Sequence, residues 1–102
     1  MGFFSSITAQ SDSAALKQAI KDGAMLVDVR TPEEFAMGSV TGATNIPLDT
    51  LPAQLARFAN QKYIVVFCRS GARSGQAKIF LEQHGYKPVI NGGMWQSVQA
   101  VM

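Results

Sequence analysis

A chain of 102 residues that is 47% hydrophobic and 16% charged carries enough apolar material for one domain, and lacks the polar bias of a disordered segment. A domain of this size buries about 60–70% of the surface its unfolded chain exposes, so neither a metal nor a disulfide framework is required, and one cysteine excludes an internal disulfide. The formal net charge of +2 is too small to point to nucleic acid, a small anion is the better-matched partner, and no apolar stretch approaches the roughly 20 residues that span a bilayer.

At the amino end, Gly2 and Ser6 fit the myristoylation pattern M-G-x-x-x-S. No polybasic second anchor follows, so an unmodified end is expected. The same stretch lacks the basic start and long apolar run of a secretory signal, which favours a cytoplasmic location and a reduced thiol. Ile7-Thr8 is a candidate first strand. Leu16 and Ile20, four apart, then predict a helix that stops at Gly23.

"AMLVDV", Ala24 to Val29, is a nearly continuous apolar run of the kind buried on both faces of a parallel sheet. Thr31-Pro32-Glu33-Glu34 is a helix start: Thr31 caps, Pro32 suits the first turn, and Glu34 reaches back to the cap amide. Gly38 keeps that helix short. "ATNIPL", residues 43 to 48, reads as a shorter strand, and Leu51, Leu55 and Phe58 share a helical face. "YIVVF", Tyr63 to Phe67, is the second long buried strand. Ala77, Phe80, Leu81 and His84 then mark a helix that Gly85 ends in a left-handed conformation. "KPVIN", residues 87 to 91, is a further strand. Alternating strands and helices in one domain, residues 1–102, imply an α/β fold, whose ligands bind beyond the carboxyl ends of the parallel strands.

The only cysteine, Cys68, follows Phe67 at such an end. Cys68-Arg69-Ser70-Gly71-Ala72-Arg73 turns the strand into a helix, and such a turn aims successive N–H groups at one point, with Gly71 free to take a positive φ. A helix N-terminus and two guanidinium groups add positive charge, so the thiolate is favoured over the thiol. A buried structural cysteine is the bland alternative, but two arginines and a glycine directly after the thiol favour a nucleophile. One Cys and one His at unrelated places cannot complete a metal site, and no cofactor is expected. His84 reads as a helix-end surface residue.

These residues resemble the single-domain form of the rhodanese family. "LVDVRTPEEFAMGSVTGATNIPL" is similar to the first family signature, "YIVVFCRSGARS" to the active-site strand and loop, and "GYKPVINGGMW" to the closing segment. The resemblance implies a central, mostly parallel five-stranded sheet with helices on both faces. It also implies sulfur transfer: Cys68 takes the outer sulfur of thiosulfate or another persulfide donor and passes it to cyanide or a thiol. On this chain the amides of Arg69, Ser70, Gly71, Ala72 and Arg73 would hold the persulfide, and Arg69 and Arg73 would bind the donor's oxyanion. Asp28 and Arg30 match the family's Asp-x-Arg pair, as a structural ion pair or as a catalytic element. Ser39 and Thr41 depart from the family's usual His and Pro, and Trp95 lies closer than usual to Gly92-Gly93.

Two rival readings remain. Cysteine phosphatases and arsenate reductases use C-x5-R, whereas Cys68 and Arg73 enclose four residues, a smaller ring better matched to sulfur. Noncatalytic interaction modules of this kind typically lose the cysteine, which is retained here in a complete loop. With no second cysteine, a persulfide must be handed outward, so a protein thiol is a candidate acceptor.

Overall fold

A computed structural model describes residues 13–102. In chain order its elements are α1 (residues 13–21), β1 (Met25–Asp28), α2 (Pro32–Ala36), β2 (Thr44–Asn45), a 3-10 helix η1 (Leu48–Phe58), β3 (Ile64–Cys68), α3 (Ala72–Gln83), β4 (Val89–Met94) and α4 (Trp95–Ala100). The strands form one parallel sheet in the order β2-β1-β3-β4. The two apolar runs of the sequence are its centre, with Met25 opposite Ile64 and Asp28 opposite Phe67.

The two-residue period of a strand divides these runs between the faces of the sheet. Val27, Val29, Val66 and Cys68 pack with Leu51 and Phe58 of η1 and with Ala77 and Leu81 of α3. Leu26, Val65 and Phe67 pack on the other side with Leu16 and Ala19 of α1 and with Val98 of α4. Helices therefore cover both faces. Each fully buried Val, Leu or Phe contributes about 1.5–3 kcal/mol relative to an exposed one, and this drives the two central strands inward.

Four strands are seen among the described residues where five are expected. Ile7-Thr8, the remaining candidate, lies outside the described residues, as do Gly2 and Ser6. The expected strand over residues 43–48 shrinks to Thr44–Asn45, because Pro47 has no N–H and Leu48 already begins η1. Its continuation still follows β1, since Ile46 N–H donates to Asp28 O at 2.9 Å and Leu48 N–H to Val29 O at 3.0 Å. The face of Leu51, Leu55 and Phe58 forms as expected, but as 3-10 helix rather than α. Pro52 lies inside it and Gln54 leaves helical geometry at φ −124°, ψ 22°. β4 runs beyond the expected Asn91 to Met94, through a register shift opposite Val66 and Phe67. α4 crosses it so closely that a Cβ on Gly92 would stand 2.6 Å from Val98 Cγ2. Among the described residues no helix is long and apolar enough to cross a membrane.

Candidate active site

β3 ends on Cys68, whose side chain has no exposed surface. Three residues later Gly71 caps α3 in the left-handed region, at φ 99° and ψ −10°, which an L side chain would resist. That turn brings the chain back over the sulfur. Gly71 N–H points at Cys68 Sγ from 3.0 Å and Ser74 N–H from 3.5 Å, with Ser74 Oγ at 3.4 Å. The sulfur thus sits at the N-terminus of a 12-residue helix, where the unpaired amides carry partial positive charge.

Burial pushes the Cys68 thiol up, but the Ser74 hydroxyl, the Ser74 amide and the amides of Ser70 and Gly71 outweigh it and bring the thiol below its ordinary pKa. Of the five loop amides expected around the sulfur, those of Ser70 and Gly71 act on it, whereas Ala72 N–H turns to Ser70 Oγ at 3.5 Å and the amides of Arg69 and Arg73 make no hydrogen bond to it. Ser74, one residue beyond the expected set, leads the groups that favour the thiolate in place of an arginine.

Ser74 belongs to a small polar network. Its hydroxyl donates to Asn91 Oδ1 at 2.6 Å, Gly93 N–H donates to the same oxygen at 2.9 Å, and Asn91 Nδ2 donates to Gly71 O at 3.2 Å. A hydroxyl has one proton. While that proton is on the Asn91 bond, Ser74 Oγ can only accept from the neutral S–H; when Cys68 ionises, the proton can turn to the sulfur and Asn91 Oδ1 keeps Gly93. β4 therefore supports the cradle from behind.

The arginines diverge. Arg69 is exposed and has no ion-pair partner among the described residues. Arg73 makes a two-point pair with Glu34 of α2, Nη1 to Oε1 at 2.7 Å and Nη2 to Oε2 at 3.1 Å. Hydrogen bonding from Arg73, then from the Thr31 amide, holds Glu34 down to about 2 from 4.5, and Glu34 in turn raises Arg73. The expected capping box exists: Glu34 N–H donates to Thr31 Oγ1 at 3.2 Å and Thr31 N–H to Glu34 Oε1 at 3.1 Å. Glu34 thus serves the helix start and Arg73 together. Ser70 is exposed on the loop, and Ala72 is exposed at the first position of α3.

Asp28 and Arg30 are joined in a buried pair on the rim. Arg30 Nη2 lies 2.7 Å from Asp28 Oδ2, Nε and the backbone N–H reach Oδ1 at 3.0 and 2.9 Å, and Ser39 Oγ donates to Oδ2 at 2.7 Å. Arg30 also donates to Gly38 O at 2.6 Å and lies 5.4 Å from the Trp95 ring centroid. The carboxylate contacts run to Arg30 and Ser39, and none reaches Cys68. Ser39, a departure from the family pattern, is thereby a working member of this cluster. Thr41, the other departure, is tied to α4, its N–H donating to Gln99 Oε1 at 2.9 Å. His84 is exposed at the end of α3, its Nδ1 2.9 Å from Phe80 O.

Sequence reasoning missed Ser74 and Asn91 as site residues and missed Glu34 as the partner of Arg73. Ser74 was in view, directly after Arg73; an asparagine within the otherwise apolar "PVIN" is the signal for Asn91. Two hollows flank the Arg73–Glu34 pair, one of about 330 Å³ reaching from Arg73 to Thr31 and Pro47, the other of about 350 Å³ between Glu34, Arg30, Arg69 and Trp95. Among the described residues no cluster of three or more His, Cys, Asp or Glu could hold a metal ion.

The sequence model of the Rhodanese-like domain family matches residues 12–98. A sulfurtransferase of Allochromatium vinosum is 40% identical over 82 residues, which are 78% of this chain and 77% of that protein. The thiosulfate sulfurtransferase PspE of Escherichia coli is 41% identical over 69 residues, 66% of each chain. A solved structure described as a rhodanese with anions, from E. coli, superimposes with a TM-score of 0.67 at 36% identity, covering 74% of this chain and 91% of that one. With the parallel sheet, the helices on both faces and the cysteine cradle at the end of β3, these likenesses establish that the chain belongs to the rhodanese-like domain family and stands among its sulfurtransferases.

Proposed function

We propose that the protein moves sulfane sulfur from thiosulfate or a persulfide to a thiophilic acceptor by way of a Cys68 persulfide. The observation that carries this reading is the convergence of the Gly71 and Ser74 amides and the Ser74 hydroxyl on one buried sulfur at a helix N-terminus. That environment favours a thiolate, and it is equally suited to the persulfide anion that follows.

The Cys68 thiolate attacks the outer sulfur of thiosulfate. A new S–S bond forms with the electron pair of the thiolate, the bond from the outer sulfur to the central one breaks, and sulfite leaves with that bond's electrons. The negative charge stays on the terminal sulfur of Cys68, inside the ring of amides. Cyanide, or a thiolate from another molecule, then attacks the terminal sulfur and returns Cys68 as thiolate; with cyanide the product is thiocyanate, with a thiolate it is a new persulfide. No proton is required in the first step, which is consistent with a site whose groups lower the thiol pKa rather than supply a base. Arg69, exposed beside the thiol, is the cation free to meet the donor's oxyanion, and Arg73 is the second once it leaves Glu34. With one cysteine in the chain, a protein thiol acceptor must come from a partner.

The test is intact mass spectrometry after thiosulfate treatment. One added sulfur on the unmodified protein, removed by cyanide and absent in Cys68→Ser, is the expected result. Unchanged mass, or sulfur uptake by Cys68→Ser, would overturn the reading.

A further inference from the structure

Cys68 is buried, and of the two ion pairs among the described residues the accessible one, Arg73–Glu34, lies beside its loop. Glu34 engages both arms of the Arg73 fork, and it is fastened independently by Thr31 N–H at 3.1 Å and Thr31 Oγ1 at 3.2 Å, so three donors share its Oε1. A bidentate carboxylate is the same kind of ligand for a guanidinium as an oxyanion is. The fork that a donor's oxygens need is therefore filled by a group of this chain. The local charge follows: two cations, Arg69 and Arg73, face three anions, Glu34, the Cys68 thiolate and Asp49 across the hollow beside Arg73, and Asp28 and Arg30 cancel each other.

We propose that Glu34 is a specificity-determining residue, whose carboxylate occupies the Arg73 fork and so makes the site discriminate against doubly charged sulfur donors in favour of less charged ones. The proposal rests on the sulfurtransferase reading above and adds to it a donor preference set by α2. Thiosulfate has to displace a fixed carboxylate and approaches a site with no net attraction. A singly charged thiosulfonate gives up less, because the penalty for approaching Glu34 scales with its charge. Release of Arg73 need not undo the helix start, since Glu34 can stay on Thr31 while the guanidinium swings away.

Glu34→Gln is the discriminating substitution. A Gln still accepts from the Thr31 amide in the capping box, α2 contributes no buried side chain, and the charge alone is lost. Initial rates of thiocyanate formation are measured with thiosulfate and with the methanethiosulfonate anion, at fixed cyanide and ionic strength. The expected result is a KM for thiosulfate lowered about three- to fivefold, as for an exposed ion pair of ordinary strength, with a smaller change for methanethiosulfonate and kcat little altered. Glu34→Ala, which also loses the carboxylate's half of the capping box while Thr31 Oγ1 keeps the residue 34 N–H, should show the same donor-selective fall together with a lower Tm. An unchanged or higher KM for thiosulfate in Glu34→Gln, or equal shifts with both donors, would overturn the proposal. Failure of the sulfurtransferase reading would look different: the unmodified protein would then take sulfur from neither donor.

Discussion

Replacing Ser74 by alanine should raise the pKa of Cys68 without touching the loop backbone. Ser74 Oγ is buried 3.4 Å from the sulfur, and its hydroxyl is the foremost of the groups that lower the thiol's pKa. A hydrogen bond to a charged group is worth about 1.5–3 kcal/mol, and so long a contact to sulfur belongs at the low end, about 1.5 kcal/mol. At about 1.4 kcal/mol for each pKa unit, the inflection should rise by about one. The Gly71 and Ser74 amides remain, and Asn91 Oδ1 keeps Gly93 N–H, so the cradle survives with one donor fewer. The assay is the rate of iodoacetamide alkylation against pH, with urea unfolding as control for the fold. Well below the inflection the alanine variant should react about tenfold more slowly, and Ser74→Thr, which keeps the hydroxyl, should recover most of the loss. Thiolate stability has a folding counterpart: because the folded pKa lies below the unfolded one, the contribution is present above the unfolded thiol value and fades as pH falls through the folded value. An inflection unmoved by Ser74→Ala would refute the role assigned to the hydroxyl and leave the amides as the whole cause.

Inserting one glycine between Gly71 and Ala72 widens the cradle to C-x5-R and should sharply reduce sulfur uptake, because the donors now 3.0–3.5 Å from the sulfur would be drawn out of hydrogen-bond reach of the charge they stabilise; full uptake by the inserted protein would show that loop size is not the selector. Gly92→Ala should cost about 1–3 kcal/mol, since the new Cβ would meet Val98 Cγ2 at 2.6 Å and Val65 Cγ1 at 3.3 Å. Calorimetry should find Tm lower by at least about 4 °C, and an unchanged Tm would mean that α4 shifts freely. The Arg73–Glu34 pair should add about 1 kcal/mol or less at neutral pH after solvent screening. With Glu34 held at about 2 against 4.5, that contribution is complete above about pH 4.5 and is lost as pH falls toward 2, so urea midpoints of the unmodified protein and Glu34→Gln should converge in acid. A gap that persisted at pH 2 would point to a cause other than the charge.

What could be read from the sequence was local or strongly patterned. The runs through Leu26 and Val65 announce buried strands without any knowledge of their neighbours, and Thr31 with Glu34 announces a capped helix from four consecutive residues. The left-handed turn at Gly71 follows from the need to reverse a strand into a helix beside a thiol. What escaped depends on contacts between distant segments. Ser74 and Asn91 are 17 residues apart and meet only because α3 folds back on β4, and Arg73 and Glu34 are 39 apart and meet across the mouth of the sheet. An arginine beside a cysteine reads as a ligand for an incoming anion until the fold supplies a carboxylate. The 3-10 geometry of η1 was missed for a related reason: Leu51 and Phe58 fix which face is buried, whereas Pro52 decides how tightly the backbone winds beneath it.

The buried pair of Asp28 and Arg30 also constrains how such a chain can drift. Loss of either member alone strands an unpaired charge in a closed site, at a cost of about 3–5 kcal/mol, while a whole domain has only about 5–15 kcal/mol of net stability. The guanidinium additionally spans Gly38 O and the Trp95 ring, so its removal would also loosen the loop before β2 and the start of α4. The two positions behave as one hereditary unit: a route that changes them singly crosses a poorly folded intermediate, whereas a joint exchange for an apolar pair of matching volume does not. Ser39 is the looser member of the set, since Asp28 Oδ2 keeps Arg30 when the hydroxyl goes, and variation among descendants of this sequence should appear there first.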